Sequence, residues 1–163
     1  MDLDQLNETA CAMVASGKGL LAADESTGTI GKRFALIDLE NTADNRRDWR
    51  EMLFRTEPAM SQCVSGVILY DETIRQTAKD GTPLTKLIQD AGAIPGIKVD
   101  AGAKGLAGSD GEMITEGLDG LRDRLADYYG LGARFAKWRA VINIGRNGDE
   151  SMPSQYCTNT NMH

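Results

Sequence analysis

The sequence predicts an α/β protein built on a parallel sheet, and three observations carry that expectation. Short apolar runs alternate with helix-period segments four times, the pattern of repeated β/α units. The runs lack a clean polar alternation, as strands covered on both faces do. Polar groups gather at or near the C-terminal ends of the runs, where parallel α/β folds place their sites. Four units fit two architectures: a small open sheet, or half of a closed (β/α)8 barrel. A closed barrel needs eight strands and roughly 250 residues, and this chain has 163. Half a barrel would leave two strand edges and one core face uncovered, which favours association.

The first helix is expected over Asp4 to Ala15, where Leu6, Ala10, Met13 and Val14 recur at helical spacing and Gly17 and Gly19 follow as stop signals. The first run, residues 19–25, closes on Asp24 and Glu25. A loop from Ser26 to Arg33 follows, then a helix from about Asn45 to Arg55 with Trp49, Met52 and Leu53 facing inward. The second run, residues 65–71, again leads into two acids, Asp71 and Glu72. Thr82-Pro83 starts the next helix, with threonine as N-cap and proline in the first turn. Leu84, Leu87 and Ile88 form its apolar stripe, and Gly92 ends it. The third run, Ile94 to Val99, leads into a glycine-rich loop, Ala101 to Gly111. A helix carrying Leu118, Leu121 and Leu125 on one face precedes Gly130 and Gly132, and the fourth run covers residues 136–144. The four strands are expected in sequential order, with helices on one side.

Hydrophobic residues make up 41% of the chain and charged residues 26%, ordinary values for a soluble globular protein with a real core. The net charge of −6 argues against nucleic acid as a partner and leaves small anions open, since a local basic pocket can exist on an acidic protein. No window approaches the ~20 apolar residues of a membrane span, and the acidic N-terminus lacks the features of a signal peptide. Cys11, Cys63 and Cys157 form no CxxC pair, and His163 is the only histidine, so neither zinc nor any other metal is expected. Reduced thiols in the cytoplasm are the simplest reading, with a buried cysteine the commoner case than a nucleophile.

Two of the runs carry paired charges. Lys98 and Asp100 are two residues apart, as are Lys137 and Arg139, so each pair would share a strand face. Charges within apolar strands are costly to bury and serve sites; the plain alternative is an edge strand with a solvated face. A cationic neighbour and desolvation both lower a lysine's pKa, and arginine offers a fork suited to phosphate. Taken alone, Lys98, Lys137 and Arg139 point to Schiff-base or phosphorylated-sugar chemistry. Ser26 to Arg33 holds two glycines, three hydroxyls and two cations in eight residues, a composition that suits either phosphate binding through backbone N–H groups or an ordinary capped turn. It is not a Walker A loop. Asp24 is a candidate acid/base or hydroxyl-binding group, or else a cap for the next helix.

The segments LLAADESTGTIGKR, GVILYDETI, PGIKVDAG and FAKWRAVINIG, in this order and spacing, resemble class I fructose-1,6-bisphosphate aldolase. The resemblance runs from the N-terminal helix to the end of the chain. It implies the N-terminal half, four β/α units, of a TIM (β/α)8 barrel, with residues 1–163 as one partial domain ending before strand 5. The family cleaves fructose 1,6-bisphosphate reversibly to dihydroxyacetone phosphate and glyceraldehyde 3-phosphate through a lysine Schiff base, in glycolysis and gluconeogenesis, with no metal and no other cofactor.

By the same resemblance, Asp24 matches the strand-1 aspartate that lies against the C3–C4 hydroxyl region of the substrate. Lys98 matches the strand-3 active-site lysine, and Lys137 the strand-4 lysine beside the Schiff base. Ser26, Thr29, Lys32 and Arg139 match positions near the 6-phosphate, with Thr29 in place of a serine. Asp24, Lys98, Lys137 and Arg139 are then expected on the concave face. The family's Schiff-base lysine is on strand 6, its glutamate acid/base on strand 5, and its 1-phosphate site on strands 7 and 8; none is present here. The Schiff-base role therefore passes from Lys98 and Lys137 to a lysine outside this sequence. The resemblance implies a sugar phosphate as ligand, a cytoplasmic location, no nucleic-acid or membrane partner, and a homo-oligomer for a full-length form. The rival readings are a non-catalytic half-barrel that binds a sugar phosphate or pairs with a second half, and an inert fragment that needs a partner.

Overall fold

The computed structural model describes residues 2–109 and 111–142. In chain order the elements are α1 (Leu3–Met13), β1 (Gly19–Ala23), α2 (Thr27–Ala35), α3 (Ala43–Phe54), a π-helical turn (Ala59–Cys63), β2 (Val64–Leu69), α4 (Asp71–Ile74), α5 (Leu84–Asp90), β3 (Ile94–Lys98), β4 (Gly102–Gly105), β5 (Met113–Glu116), α6 (Leu121–Gly130) and β6 (Phe135–Lys137). They divide between two compact units, one of Met1–Lys98 with Arg124–Lys137 and the other of Val99–Asp123 with Trp138–His163.

The first unit carries a four-stranded sheet in the order β1-β2-β3-β6, with every pairing parallel. This is the sequential order the alternation of runs predicts. The register aligns Leu20 with Gly66, Ile68 with Gly96, Gly96 with Phe135, and Lys98 with Lys137. Because side chains alternate between faces, one face holds Leu20, Ala22, Gly66, Ile68, Ile94, Gly96, Lys98, Phe135 and Lys137, and the other holds Leu21, Ala23, Val67, Leu69, Pro95, Ile97 and Ala136. Of the second set, Ala23, Val67, Leu69, Pro95 and Ile97 are buried, Leu21 is half-buried and Ala136 is exposed. Ile97 lines one cavity with Leu125, Tyr128 and Ala133, which identifies that face as the one toward α6.

The first set forms a concave face. A Cβ at Gly96 would stand 2.3 Å from the Phe135 ring, and one at Gly66 would meet both Leu20 (2.9 Å) and Phe135 (3.0 Å). Side chains from the first and fourth strands thus converge over glycines on the second and third. Three strand spacings amount to ~14 Å in a flat sheet, so this convergence requires curvature. Gly66 and Gly96 make room for it. Leu20 and Ala22 remain exposed, and Ile68, Ile94 and Phe135 only partly covered. The strands were expected to be buried on both faces; among the described residues the helix-side face is buried except at Leu21 and Ala136, and the concave face stays half-open.

Helix boundaries largely follow the sequence, but the buried stripes do not. Asp2 caps α1 through Gln5 N–H at 3.0 Å, yet the helix buries no residue, and Leu6 and Val14 of its predicted stripe are exposed. In α3, capped by Thr42, the buried residues are Arg46, Arg50 and Phe54, while Met52 is exposed and Trp49 and Leu53 only half-buried. The helix is rotated from its expected setting because the two arginines find acceptors inside. Pro83 rather than Thr82 takes the N-cap position of α5, without a side-chain cap bond; Leu84 and Ile88 are buried as expected. In α6 only Tyr128 is buried, and Leu118 precedes the helix.

The fourth run contributes three residues to the sheet, Phe135–Lys137, where the sequence predicts nine. Residues 138–142 are not strand, and 143 and 144 lie outside the described residues. The glycine-rich loop expected at 101–111 contains β4, which pairs antiparallel with β5 in the second unit. Gly117 closes this hairpin: it has φ +127°, and a Cβ there would come within 2.8 Å of Ala101 N.

Candidate active site

Asp24 directly follows β1, and Lys137 ends β6. The Lys137 ammonium donates a hydrogen bond to Asp24 Oδ2 at 2.6 Å, with side-chain exposures of 29% and 13%. This charge-assisted bond joins the two outer strands of the sheet across its concave face. The approach of Leu20 and Phe135 to Gly66, further down the same face, has the same geometric cause. Lys98 is in register with Lys137 on the neighbouring strand. The concave face therefore carries one carboxylate and two amines at the C-terminal ends of parallel strands. Such a set can exchange protons with hydroxyl and carbonyl groups and attract an anion.

The second acid of the run takes a different path. Glu25 turns to the Arg33 guanidinium, with which it forms an ion pair, and accepts a longer contact from Arg50 Nη2 at 3.5 Å. Arg50 is fully buried and donates through Nε to Ala23 O (3.2 Å) and through Nη2 to Glu25 O (2.8 Å). Burial pushes its pKa down, and the carboxylates of Glu25 and Glu72 oppose that shift. One helical turn earlier, Arg46 forms a two-pronged pair with Glu72, Nη2 to Oε1 at 2.6 Å and Nε to Oε2 at 2.8 Å. The hydrogen bonds from Arg46 hold the Glu72 carboxyl below its usual range against the opposing effect of burial. Sequence reading missed Arg46 and Arg50. Their signal is arginine at i and i+4 on a helix with too few apolar residues to fill a stripe.

The Ser26–Arg33 segment is the start of α2. Ser26 is its N-cap, accepting from Thr29 N–H at 3.3 Å, and its hydroxyl lies 3.0 Å from that of Thr29. Of the two readings of the segment, the observed geometry is that of a capped helix, with Ile30 and Phe34 buried and Lys32 and Thr29 exposed. Two face-sharing pairs expected from spacing do not form within strands. β3 ends at Lys98 and β6 at Lys137, so Asp100 and Arg139 fall outside them. Asp100 is buried in the second unit and its Oδ1 accepts from Gly102 N–H at 3.2 Å. Arg139 also belongs to the second unit, where its carbonyl accepts from Thr115 Oγ1 at 2.7 Å. The i,i+2 argument holds only while the chain is extended. The observed pairing of amines is between strands, Lys98 beside Lys137.

Cys11 and Cys63 are both exposed, contrary to the expectation of buried thiols, and Cys157 lies outside the described residues. Among the described residues no group of three or more His, Cys, Asp or Glu side chains could hold a metal ion, and no helix is long and apolar enough to cross a membrane.

The family model for glycolytic class I fructose-bisphosphate aldolase matches residues 5–163. A probable class 1 fructose-bisphosphate aldolase of Xanthomonas campestris is 61% identical over all 163 residues, which cover 47% of its own length. The cytosolic fructose-bisphosphate aldolase 6 of Arabidopsis thaliana is 54% identical over 98% of this chain and 43% of its own. Among solved structures, the fructose-bisphosphate aldolase of Plasmodium falciparum, crystallised with TRAP and a small-molecule inhibitor, superposes with a TM-score of 0.91 at 44% identity. That match covers 96% of this chain and 44% of the other. The chain thus spans about half the length of these relatives, and its parallel sheet matches part of the aldolase barrel. With the family model matching nearly every residue, the chain belongs to the class I fructose-bisphosphate aldolase family.

Proposed function

We propose that the concave face is the substrate-handling half of an aldolase site, which binds fructose 1,6-bisphosphate and contributes to its reversible cleavage to dihydroxyacetone phosphate and glyceraldehyde 3-phosphate. The observation that carries the reading is the Asp24–Lys137 ion pair across the sheet, with Lys98 in register beside it. In this reading Asp24 lies against the C3–C4 hydroxyl region and takes the proton released as the bond breaks. Lys137 pairs with Asp24 and moves protons around the C2 carbon, and Lys98 adds positive charge for the anionic substrate. By the resemblance, Ser26, Thr29 and Lys32 serve the 6-phosphate. The imine that drains electrons from the breaking bond comes from a lysine on a later strand of the family's barrel. The cytoplasm as location and a homo-oligomer as the working form of a full-length protein belong to the same reading.

The test is thermal melting of the chain at low ionic strength with and without millimolar fructose 1,6-bisphosphate. The sugar phosphate should raise the melting temperature, and salt should shrink the gain by screening the charges. Lys137→Met combined with Lys98→Met should abolish it. An unchanged melting temperature in the unsubstituted chain would sink the reading. The second reading, a non-catalytic half-barrel that binds a sugar phosphate or pairs with a second half, is favoured by the concave face that stays partly uncovered, with Leu20 and Ala22 exposed. It shares the stabilisation and differs in turnover.

A further inference from the structure

We propose that Arg50 is a positioning residue for Asp24: its buried guanidinium grips the backbone carbonyls on both sides of Asp24 and so aims the carboxylate at Lys137. This rests on the reading of Asp24 and Lys137 as a substrate-handling pair.

The geometry is specific. In extended backbone, carbonyls two residues apart point the same way. Arg50 spans one such pair, Ala23 O through Nε and Glu25 O through Nη2. Residue 24, between them, must then project its side chain away from the one that precedes it. Ala23 is fully buried on the helix-side face, and Asp24 is on the concave one. The grip extends strand geometry past the last ladder residue of β1. That is where the sheet no longer holds the chain and where a carboxylate would otherwise swing. Lysine could not do this, because its single ammonium lacks two N–H groups in a fixed plane.

The arrangement is costly as packing. The guanidinium is wholly buried, its only carboxylate contact, to Glu25, is long, and Nη1 has no partner. An apolar side chain of similar volume would fill the same space without the desolvation cost. What the arginine adds is direction at Asp24. Arg46 and Glu72 stand beside it and pair with each other, which leaves Arg50 to the β1 terminus.

The experiment reads the aim of Asp24 through its partner. The folded chain is treated with acetic anhydride at neutral pH, and the acetylation rate of Lys137 is measured by peptide mass mapping against Lys86 on α5 as internal standard. The Asp24 carboxylate occupies the Lys137 nitrogen as a hydrogen-bond partner and limits the approach of the anhydride, so Asp24→Asn should speed Lys137 acetylation about threefold or more. Arg50→Gln should do the same, and the Arg50→Gln/Asp24→Asn double variant should match Asp24→Asn alone, since both act through one contact. Leu84→Ala, which destabilises the core of α5 without touching β1, should leave the ratio at the wild-type level. The proposal is overturned if Arg50→Gln leaves Lys137 at the wild-type rate, or if its effect adds to that of Asp24→Asn. Should Arg50→Gln not fold, the unsubstituted chain still decides. The Arg50 Nε–H resonance should resist solvent exchange and couple through its hydrogen bond to the Ala23 carbonyl carbon, and rapid exchange overturns the proposal. Protection of Lys137 by fructose 1,6-bisphosphate is a separate arm. Its absence, with the Arg50 results intact, counts against the functional reading alone.

Discussion

Two consecutive acids close the first strand, and the backbone sends them to different tasks. Asp24 reaches across the concave face to Lys137, while Glu25 pairs with Arg33 on the opposite side of the chain. The strand period of two makes that separation unavoidable, and from the sequence alone neither acid is marked as the one that turns inward. A third acid is bound to stability. Hydrogen bonds from Arg46 hold Glu72 below its reference value of 4.5, and burial opposes them. A carboxyl whose folded pKa lies below its unfolded one adds stability that is complete above the unfolded value and is lost as pH falls through the folded one. Denaturant melts from pH 7 down to pH 3 should therefore show the unsubstituted chain losing stability below about pH 4.5 more steeply than Glu72→Gln. At pH 7 the same variant should be less stable by roughly 1–3 kcal/mol, since it weakens the bonds of a nearly buried guanidinium. Parallel curves for the two proteins would show that the pair has no part in acid stability.

At the scale of elements, the hydroxyl of Ser26 has one observable duty, which is to cap α2. Ser26→Ala should lower stability by about 1 kcal/mol, and Ser26→Asp should restore most of it; a melting temperature unaffected by Ser26→Ala would mean that the cap is idle. Gly96 makes a sharper test. An added methyl would stand 2.3 Å from the Phe135 ring, so Gly96→Ala must displace the ring or the strand. The expected cost is about 1–3 kcal/mol in a urea melt, and it should be relieved in the Phe135→Leu background. Additive effects of the two substitutions would break the link between glycine and ring. These elements also show what a sequence makes legible. Four apolar runs predict four parallel strands in the observed order, because strand formation answers to local pattern. The buried side of α3 was hidden, because polar stripes are read as solvent-facing. Here Arg46 and Arg50 are buried by acceptors on β1 and α4 that no local pattern contains. The β4–β5 hairpin was hidden for the opposite reason: its glycines read as loop, and the pairing between Gly102 and Glu116 is invisible until the chain is folded.

At the scale of the molecule, the candidate site is partly a property of one residue layer. Of the four residues expected on one face, register sets Lys98 beside Lys137 and an ion pair joins Asp24 to Lys137, while Arg139 falls outside β6; the contact between the outer strands is set by curvature, which spacing along the chain does not encode. That layer holds one carboxylate and two amines on a face that stays half-exposed, with Leu20 at 46%. Charge and binding do not amount to turnover. Cleavage of a carbon–carbon bond beside a ketone needs an electron sink, and the sink that the family resemblance implies is an imine on a lysine from the sixth strand. Lys98 and Lys137 are amines in the same region, but Lys137 is committed to Asp24, and a displacement of ~1 Å from productive geometry can cost ~100-fold in rate. The 163-residue chain by itself should therefore bind sugar phosphate without cleaving it. Borohydride reduction in the presence of dihydroxyacetone phosphate, followed by peptide mapping, tests this at the level of the bond. The expected map shows no stoichiometric adduct, and an assay for glyceraldehyde 3-phosphate shows no release above background. A stoichiometric adduct on Lys98 or Lys137 together with measurable turnover would demonstrate that four β/α units suffice for the chemistry, and that the sink had been assigned to the wrong strand.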